Sequence, residues 1–474
     1  MNEDLCFQTV AELSKQIASK KLSPVELTNA YLARVEELNP KIAAVLTSTR
    51  ELALKRAAEV EREIRSGKNR GPLHGIPYGV KDLLDTRGIR TTGGSSIYKD
   101  RIPDRDATVI EKLNNAGAIL IQKLAMSEFA SGGNNDDLAP LPRNPWRLDR
   151  SPAGSSSGPG AATAAAMNGF SIGSETGGSI MGPCGANGVS GMRPTYSRVS
   201  RFGVMTLAWS LDKIGPLARS IADVGTILEA IAGHDPKDQT SSPTSAFRFR
   251  PDAGKVSGRK LGIIRSEFDA VPAANKAVFA KALDVLKQAG FILEDVTLPD
   301  LPYGLIQAES SRTEGGSYYK NLFNNKTILQ YSDPVKRADW MASSMLPASD
   351  YMQVQRIRAL IRIKADEVAA RYSALLAPTN ATGSGPITKP LRTRAADAPS
   401  PETLSVEKLN TMGNLAGLPG ISIPCGFDAD TMPLGLHIAG RAWDEQSLLD
   451  VGMAFQKETD FHRRRPAMAP GSSD

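Results

Sequence analysis

The sequence predicts an α/β protein, on three observations: helix and strand signals that alternate over much of the chain, a purely helical stretch ahead of them, and a second helical stretch past the middle. The opening helices announce themselves by their caps. Thr9 with Glu12, and Ser23 with Pro24 and Glu26, read as capping-box starts, and Leu27, Tyr31, Val35 and Leu38 then recur at helical spacing. From Leu73 to Leu84 the text turns to a short apolar segment punctuated by Gly and Pro, which predicts a buried strand and the loop beyond it. Residues 106 to 124 give one helix–strand unit, with Gly117 as the stop between its halves. Ser220 and Asp223 open a further helix carrying Val224, Ile227, Leu228 and Ile231, and Gly233 closes it. Residues 235 to 258, rich in Pro, Ser and charge, predict a linker. The strand Leu261 to Ile264, the helix Ala274 to Ala289 and the strand Phe291 to Val296 then restore the alternation. Residues 303 to 373 are mostly helical and rich in aromatic residues and Met. Leu415 to Pro424 and Leu434 to Gly440 are strand candidates, and Asp444 opens a last helix.

Composition sets the class. With 474 residues, 41% hydrophobic and 23% charged, the chain can bury a large core, which excludes disordered and fibrous classes. Lys plus Arg exceed Asp plus Glu by 57 to 51, a charge of +6 that is dispersed along the chain, so no nucleic-acid footprint is read from it. The densest run, Arg463 to Arg465, reads as a solvated tail. Cys6, Cys184 and Cys425 are far apart and lack metal or disulfide spacing, which fits a reducing compartment. No apolar run reaches about 18 residues and the first residues lack a leader pattern, so a cytoplasmic, non-membrane protein is expected.

The chemistry is concentrated between residues 75 and 220. His74, His234, His437 and His462 show no paired metal spacing and none accompanies a GxSxG elbow, so a hydrolase of this sequence needs another base. Lys81 follows the apolar run Ile76 to Val80, where desolvation would lower its pKa; a lone lysine near a strand end is nonetheless more often a structural ion-pair partner. Residues 151 to 192 are dominated by Gly, Ser and Ala, which means backbone brought close either to packed elements or to a ligand. No phosphate-cradle pattern is present.

With GIPYGVKDLLD at 75 to 85, SPAGSSSGPG at 151 to 160, GSETGGSI at 173 to 180, PTYSRVSRFGV from 194 and SLDKIGPLARS to 220, the sequence resembles the amidase signature family of Ser-cisSer-Lys hydrolases nearly end to end. The resemblance implies a large mixed central sheet covered by helices, with a helical insertion. It divides the chain into an N-terminal helical layer (1–70), the signature core (71–240), an α/β continuation (241–302), the insertion as a substrate cap (303–373) and closing strands and helix (374–474). It further implies Ser179 as nucleophile, Ser155 as a bridging serine on a cis peptide after Gly154, and Lys81 as base, with backbone N–H groups of Thr176, Gly177, Gly178 and Ser179 facing the oxyanion. Gly132, Met181, Trp209 and Arg358 are the candidates for substrate contact. No metal and no cofactor are implied.

Some positions depart from the family's pattern. Ala153 stands where glycine is usual, Ser157 and Pro159 differ in the loop after the serines, and Met181 replaces an arginine. The expected activity is hydrolysis of small amides, aryl amides among them, with esters or carbamates as side substrates. The alternative is the glutamine-cleaving component of a glutamyl-tRNA amidotransferase, its A-type chain, for which Arg358 would hold the substrate carboxylate and Glu407 is the nearest acidic residue; a catalytically silent binding protein on the same fold is a third reading. The aromatic insertion reads either as ordinary helical core or as the wall of an apolar substrate pocket. The expected partner is a small-molecule amide, without nucleic acid or membrane, and self-association as a homodimer is left open. Cys184 is expected to be a buried small hydrophobe.

Overall fold

The structure is a computed structural model that describes residues 3–131, 133, 135–252, 256–387 and 407–466. Its centre is one mixed sheet of eleven strands: β1 (Val45–Ser48), β2 (Pro77–Lys81), β3 (Ile119–Leu124), β4 (Phe170–Glu175), β5 (Ser190–Arg193), β6 (Lys213–Ala218), β7 (Lys260–Ile264), β8 (Ile292–Val296), β9 (Ala374–Pro378), β10 (Gly420–Phe427) and β11 (Pro433–Ala439). In space they run β1-β3-β2-β4-β6-β5-β10-β11-β9-β7-β8. β2 lies parallel to both β3 and β4, while β4, β6, β5, β10 and β11 pair antiparallel in turn. The strands β2, β4, β5, β6, β9 and β11 are buried along their whole length, as expected for a sheet covered on both faces.

The register follows from packing. Tyr78 of β2 stands beside Phe170 of β4 and their rings stack at 5.2 Å, which places Val80 beside Ile172 and brings Lys81 and Glu175 to the same edge of the sheet. That edge, beyond the carboxyl ends of parallel strands, is where α/β sheets open their sites.

The N-terminal caps are as the residue pattern predicts, with one difference. Thr9 and Glu12 complete a reciprocal box; Ser23 accepts from Val25 and Glu26 N–H, but its hydroxyl turns to Glu61 rather than being answered by Glu26. Leu27, Tyr31, Val35 and Leu38 are all buried. Asp223 does more than sit in the first turn of the helix Ile221–Ile231, because its carboxylate accepts from Val10 and Ala11 N–H and so docks the helix Val10–Ala18. Of the predicted linker 235–258, residues 235–252 are not free: Asp235, Asp238, Ser241 and Ser245 are buried, and Phe249 packs where a side chain on Gly225 would be. The arginines 463 to 465 are exposed, as a solvated run should be; Arg464 pairs locally with Asp460, while Arg463 and Arg465 form surface ion pairs with Glu12 and Asp4 of the first helices.

The stretch 303 to 373 folds as helices, chiefly Tyr303–Tyr318, Pro334–Ser343 and Ala348–Ala369. Its aromatic residues make a core of their own around Phe129, whose ring stacks on Tyr319 at 4.5 Å, with Trp340 5.1 Å from Tyr319 and Tyr331 5.9 Å from Phe129. Met341, Met345 and Met352 point to solvent instead. Among the described residues no helix is long and apolar enough to cross a membrane.

Candidate active site

Lys81 is the last residue of β2 and is fully buried. Its Nζ donates to Ser155 Oγ at 2.7 Å and to Ser174 Oγ at 2.8 Å. Burial draws its pKa down to about 7, against the opposing pull of the Asp212 and Glu175 carboxylates. An amine at that value is a base near neutral pH and not a fixed cation. Ser155 follows a cis Gly154–Ser155 peptide bond. Next to it, Ser156 Oγ donates to the Ser174 carbonyl at 3.2 Å, locking the first serine segment to β4.

The second serine segment leaves the end of β4 as a turn, Thr176 to Ile180, before the helix Met181–Asn187. Glu175 organises this turn. Its Oε2 accepts from Ile180 and Met181 N–H at 2.7 and 2.9 Å, and its Oε1 accepts from Arg193 at 2.8 Å and Asn414 at 3.0 Å. Burial pushes Glu175 up, but Arg193, the Met181 N–H and Asn414 carry it down to about 2, so it stays ionised. Asp212 holds the other end, accepting from Thr176 Oγ1 at 2.6 Å while Leu207 and Ala208 N–H donate to it.

Between those anchors the backbone is crowded. Gly178 takes φ +128, which a side chain tolerates poorly, and a Cβ on Gly177 would collide with the Gln307 carboxamide. Ser179 is partly exposed at the end of this turn, while Ser155 is buried. The helix Ser157–Ala164 packs on the helix Met181–Asn187, with Gly160 against Pro183 and Asn187 and the Gly154 carbonyl against Gly182. Lys81 therefore ties the segment ahead of the helix Ser157–Ala164, through Ser155, to the strand that leads into the Ser179 turn, through Ser174.

This constellation can do acyl transfer. It offers a hydroxyl reachable from outside, a buried hydroxyl already bonded to a basic amine, and a tight turn of N–H groups; a buried carboxylate and an arginine hold that turn in place. The family model described as Amidase matches residues 26–449. The chain belongs to the amidase family. It is 37% identical to the A-type chain of glutamyl-tRNA(Gln) amidotransferase from Carboxydothermus hydrogenoformans, over 98% of this chain and 100% of that one. Among solved structures it is similar to the native peptide amidase of Stenotrophomonas maltophilia, at 29% identity and a TM-score of 0.83 over 97% of this chain and 98% of that one. It is also similar to a chain of a vestigial protein complex tied to the origins of an s-triazine catabolic enzyme, at 28% identity and a TM-score of 0.85 over 95% of this chain and 98% of that one. As a member of this amidase family the protein is an enzyme of amide C–N bonds. The expectation of a small amide as the partner, with no nucleic acid, does not stand against these likenesses: the Carboxydothermus relative is one component of an amidotransferase named for a tRNA.

The candidates for substrate contact fare unevenly. Gly132 lies outside the described residues. Met181 is buried among Ala164, Ile180, Cys184, Val189 and Leu217, an apolar cluster behind the turn and not a wall in front of it. Cys184 belongs to the same cluster, where burial pushes its thiol well up, as its reading as a small hydrophobe anticipates. Trp209 and Arg358 come together, but with each other: both line a cleft of about 550 Å³ that none of Lys81, Ser155, Ser174 and Ser179 lines. Arg358 donates to the Leu415 and Ser210 carbonyls at 3.0 and 2.8 Å, so its guanidinium clamps two elements. Glu407 is exposed immediately ahead of the helix Lys408–Ala416.

Sequence reasoning passed over Ser174, Glu175, Asp212, Gln307 and Asn410. Glu175 had a signal, as the single charge in GSETGGSI, and Asp212 as the acid of SLDKIGP. Gln307 and Asn410 had none. They come from the helices Tyr303–Tyr318 and Lys408–Ala416 and meet Gly177 and Gly178 only in the folded chain.

Proposed function

We propose that this chain is the amide-cleaving component of a glutamine-dependent amidotransferase of the glutamyl-tRNA(Gln) type, working with partner chains and liberating ammonia through a serine ester. The observation that carries the reading is the buried Lys81 amine, 2.7 Å from Ser155 Oγ and 2.8 Å from Ser174 Oγ on the strand that leads into the Ser179 turn, in a chain aligned end to end with one chain of that enzyme. Neutral Lys81 takes the proton of Ser155, which takes that of Ser179 as Ser179 Oγ attacks the amide carbon. The N–H groups of the turn from Thr176 to Ser179 receive the developing oxyanion. When the tetrahedral adduct collapses, the proton returns along the same path to the leaving nitrogen, ammonia departs, and water hydrolyses the ester left on Ser179.

One observation favours a second reading, hydrolysis of small amides by the chain alone. Arg358 is spent on Leu415 and Ser210, and Met181 lies in apolar core, so neither supplies a cation for a glutamine carboxylate beside Ser179. Ammonia release from glutamine and colour release from p-nitroanilides, measured on the purified chain with and without the remaining components of the Carboxydothermus amidotransferase, separate the two. The first reading expects glutamine turnover to rise at least about tenfold on assembly. Anilide turnover by the chain alone, with no response of glutamine turnover to the other components, overturns it in favour of the second.

A further inference from the structure

The cleft that gathers Trp209 and Arg358 has a chemistry of its own. Its walls include two solvent-facing indoles, Trp209 at 58% exposure and Trp443 at 41%, together with Tyr196. Large aromatics left this open on one concave surface are unusual unless something stacks on them. Trp443 is also held in place: its φ is +71, its backbone N–H donates to Thr195 Oγ1 at 2.9 Å, and Arg198 lies 4.6 Å over its ring while forming an ion pair with buried Glu445. A bulky residue kept in the left-handed region by this much support is a presented surface.

The charge in the cleft is of one sign. Arg358 and Arg362, one turn apart on the helix Ala348–Ala369, both line it, and no Asp or Glu does. Arg358 is partly answered from behind by Glu314, which accepts from Ser210. Arg362 is exposed and forms no ion pair among the described residues, although Asp366 lies one turn further on. Aromatic faces take a planar ring, and a guanidinium fork takes a phosphate.

We propose that this cleft is a nucleotide-binding site, in which a base stacks on Trp209, the more open of the two indoles, and its phosphate is met by Arg362, while Arg358, held by Leu415 and Ser210, adds positive charge behind it. The site is separate from the amide chemistry, and the proposal does not depend on which amide the enzyme cleaves. The ring-plus-phosphate chemistry is shared by a free mononucleotide and by the end of an RNA strand.

Tryptophan fluorescence of the full chain, titrated with AMP, adenosine, inorganic phosphate and a short single-stranded RNA ending in adenosine, tests it. Saturable quenching by AMP is expected, with adenosine and phosphate each at least about tenfold weaker. Trp209→Ala and Arg362→Ala, both at exposed positions, should each weaken AMP about tenfold, read for Trp209→Ala by calorimetry. RNA binding more tightly than AMP would assign the site to an RNA end, and the reverse order to a free nucleotide. Absence of saturable binding by both AMP and RNA, adenosine binding as tightly as AMP, or affinity unchanged in both variants would overturn the proposal.

Discussion

Lys81 shows how far a single residue can be moved from its ordinary chemistry by its surroundings. Removed from water at the end of β2 and left with two hydroxyls for partners, it titrates near 7 and not above 10. Because the depressed pKa makes the neutral form dominant above about 7, kcat/KM should rise with pH through that value and level off on the alkaline side. A pH–rate profile with saturating and limiting substrate checks this, and a flat profile from about pH 5 to 9 with chemistry rate-limiting would refute the base assignment. Lys81 and Ser155, which the fold brings into hydrogen-bond contact, stand out in the sequence only together with Ser179, as the spaced motifs that carry the family resemblance; each pattern alone reads as well as packing. That Trp209 and Arg358 share a cleft was not legible, because 149 positions separate them and only the packing of the helix Ala348–Ala369 brings the arginine there. Ala153, noted as a departure from glycine, is found at φ +57, where glycine would be the relaxed choice.

Among the elements, the turn between β4 and the helix Met181–Asn187 is the one on which function rests, and Glu175 is its fastening. Glu175→Gln keeps the shape but removes the charge that answers Arg193 and draws in the Ile180 and Met181 N–H groups. It should cost about 3 kcal/mol in urea unfolding, since Arg193 is left buried without its counter-charge, and lower kcat at least about tenfold as the turn loosens. An unchanged midpoint and an unchanged kcat would mean the turn is held by other contacts. The caps at Thr9, Ser23 and Ser220 were readable in the sequence, since a cap is local chemistry. What Glu61 does for Ser23 and Asp223 for Val10 was not, because those partners lie 38 and 213 positions away.

For the whole molecule, sequence periodicity reveals that a sheet exists but not its order: β5 pairs with β10 more than two hundred residues later, and β9 lies between β11 and β7. The aromatic stretch illustrates the same limit, since composition alone allowed core or pocket wall and tertiary packing made its rings a core clasping Phe129. Trp340→Ala should therefore cost about 3–5 kcal/mol in denaturant unfolding. A loss below about 1 kcal/mol would show that this cluster does not bind the helices to the body. On the proposed function, these parts converge on one chemical event, the transfer of an acyl group to Ser179. The direct measurement is mass spectrometry of the intact protein and its peptides after rapid quenching with an amide substrate, on the wild type and on Ser179→Ala. An acyl adduct on the peptide carrying Ser179 is predicted, with neither adduct nor turnover in the variant; wild-type turnover by Ser179→Ala would contradict it.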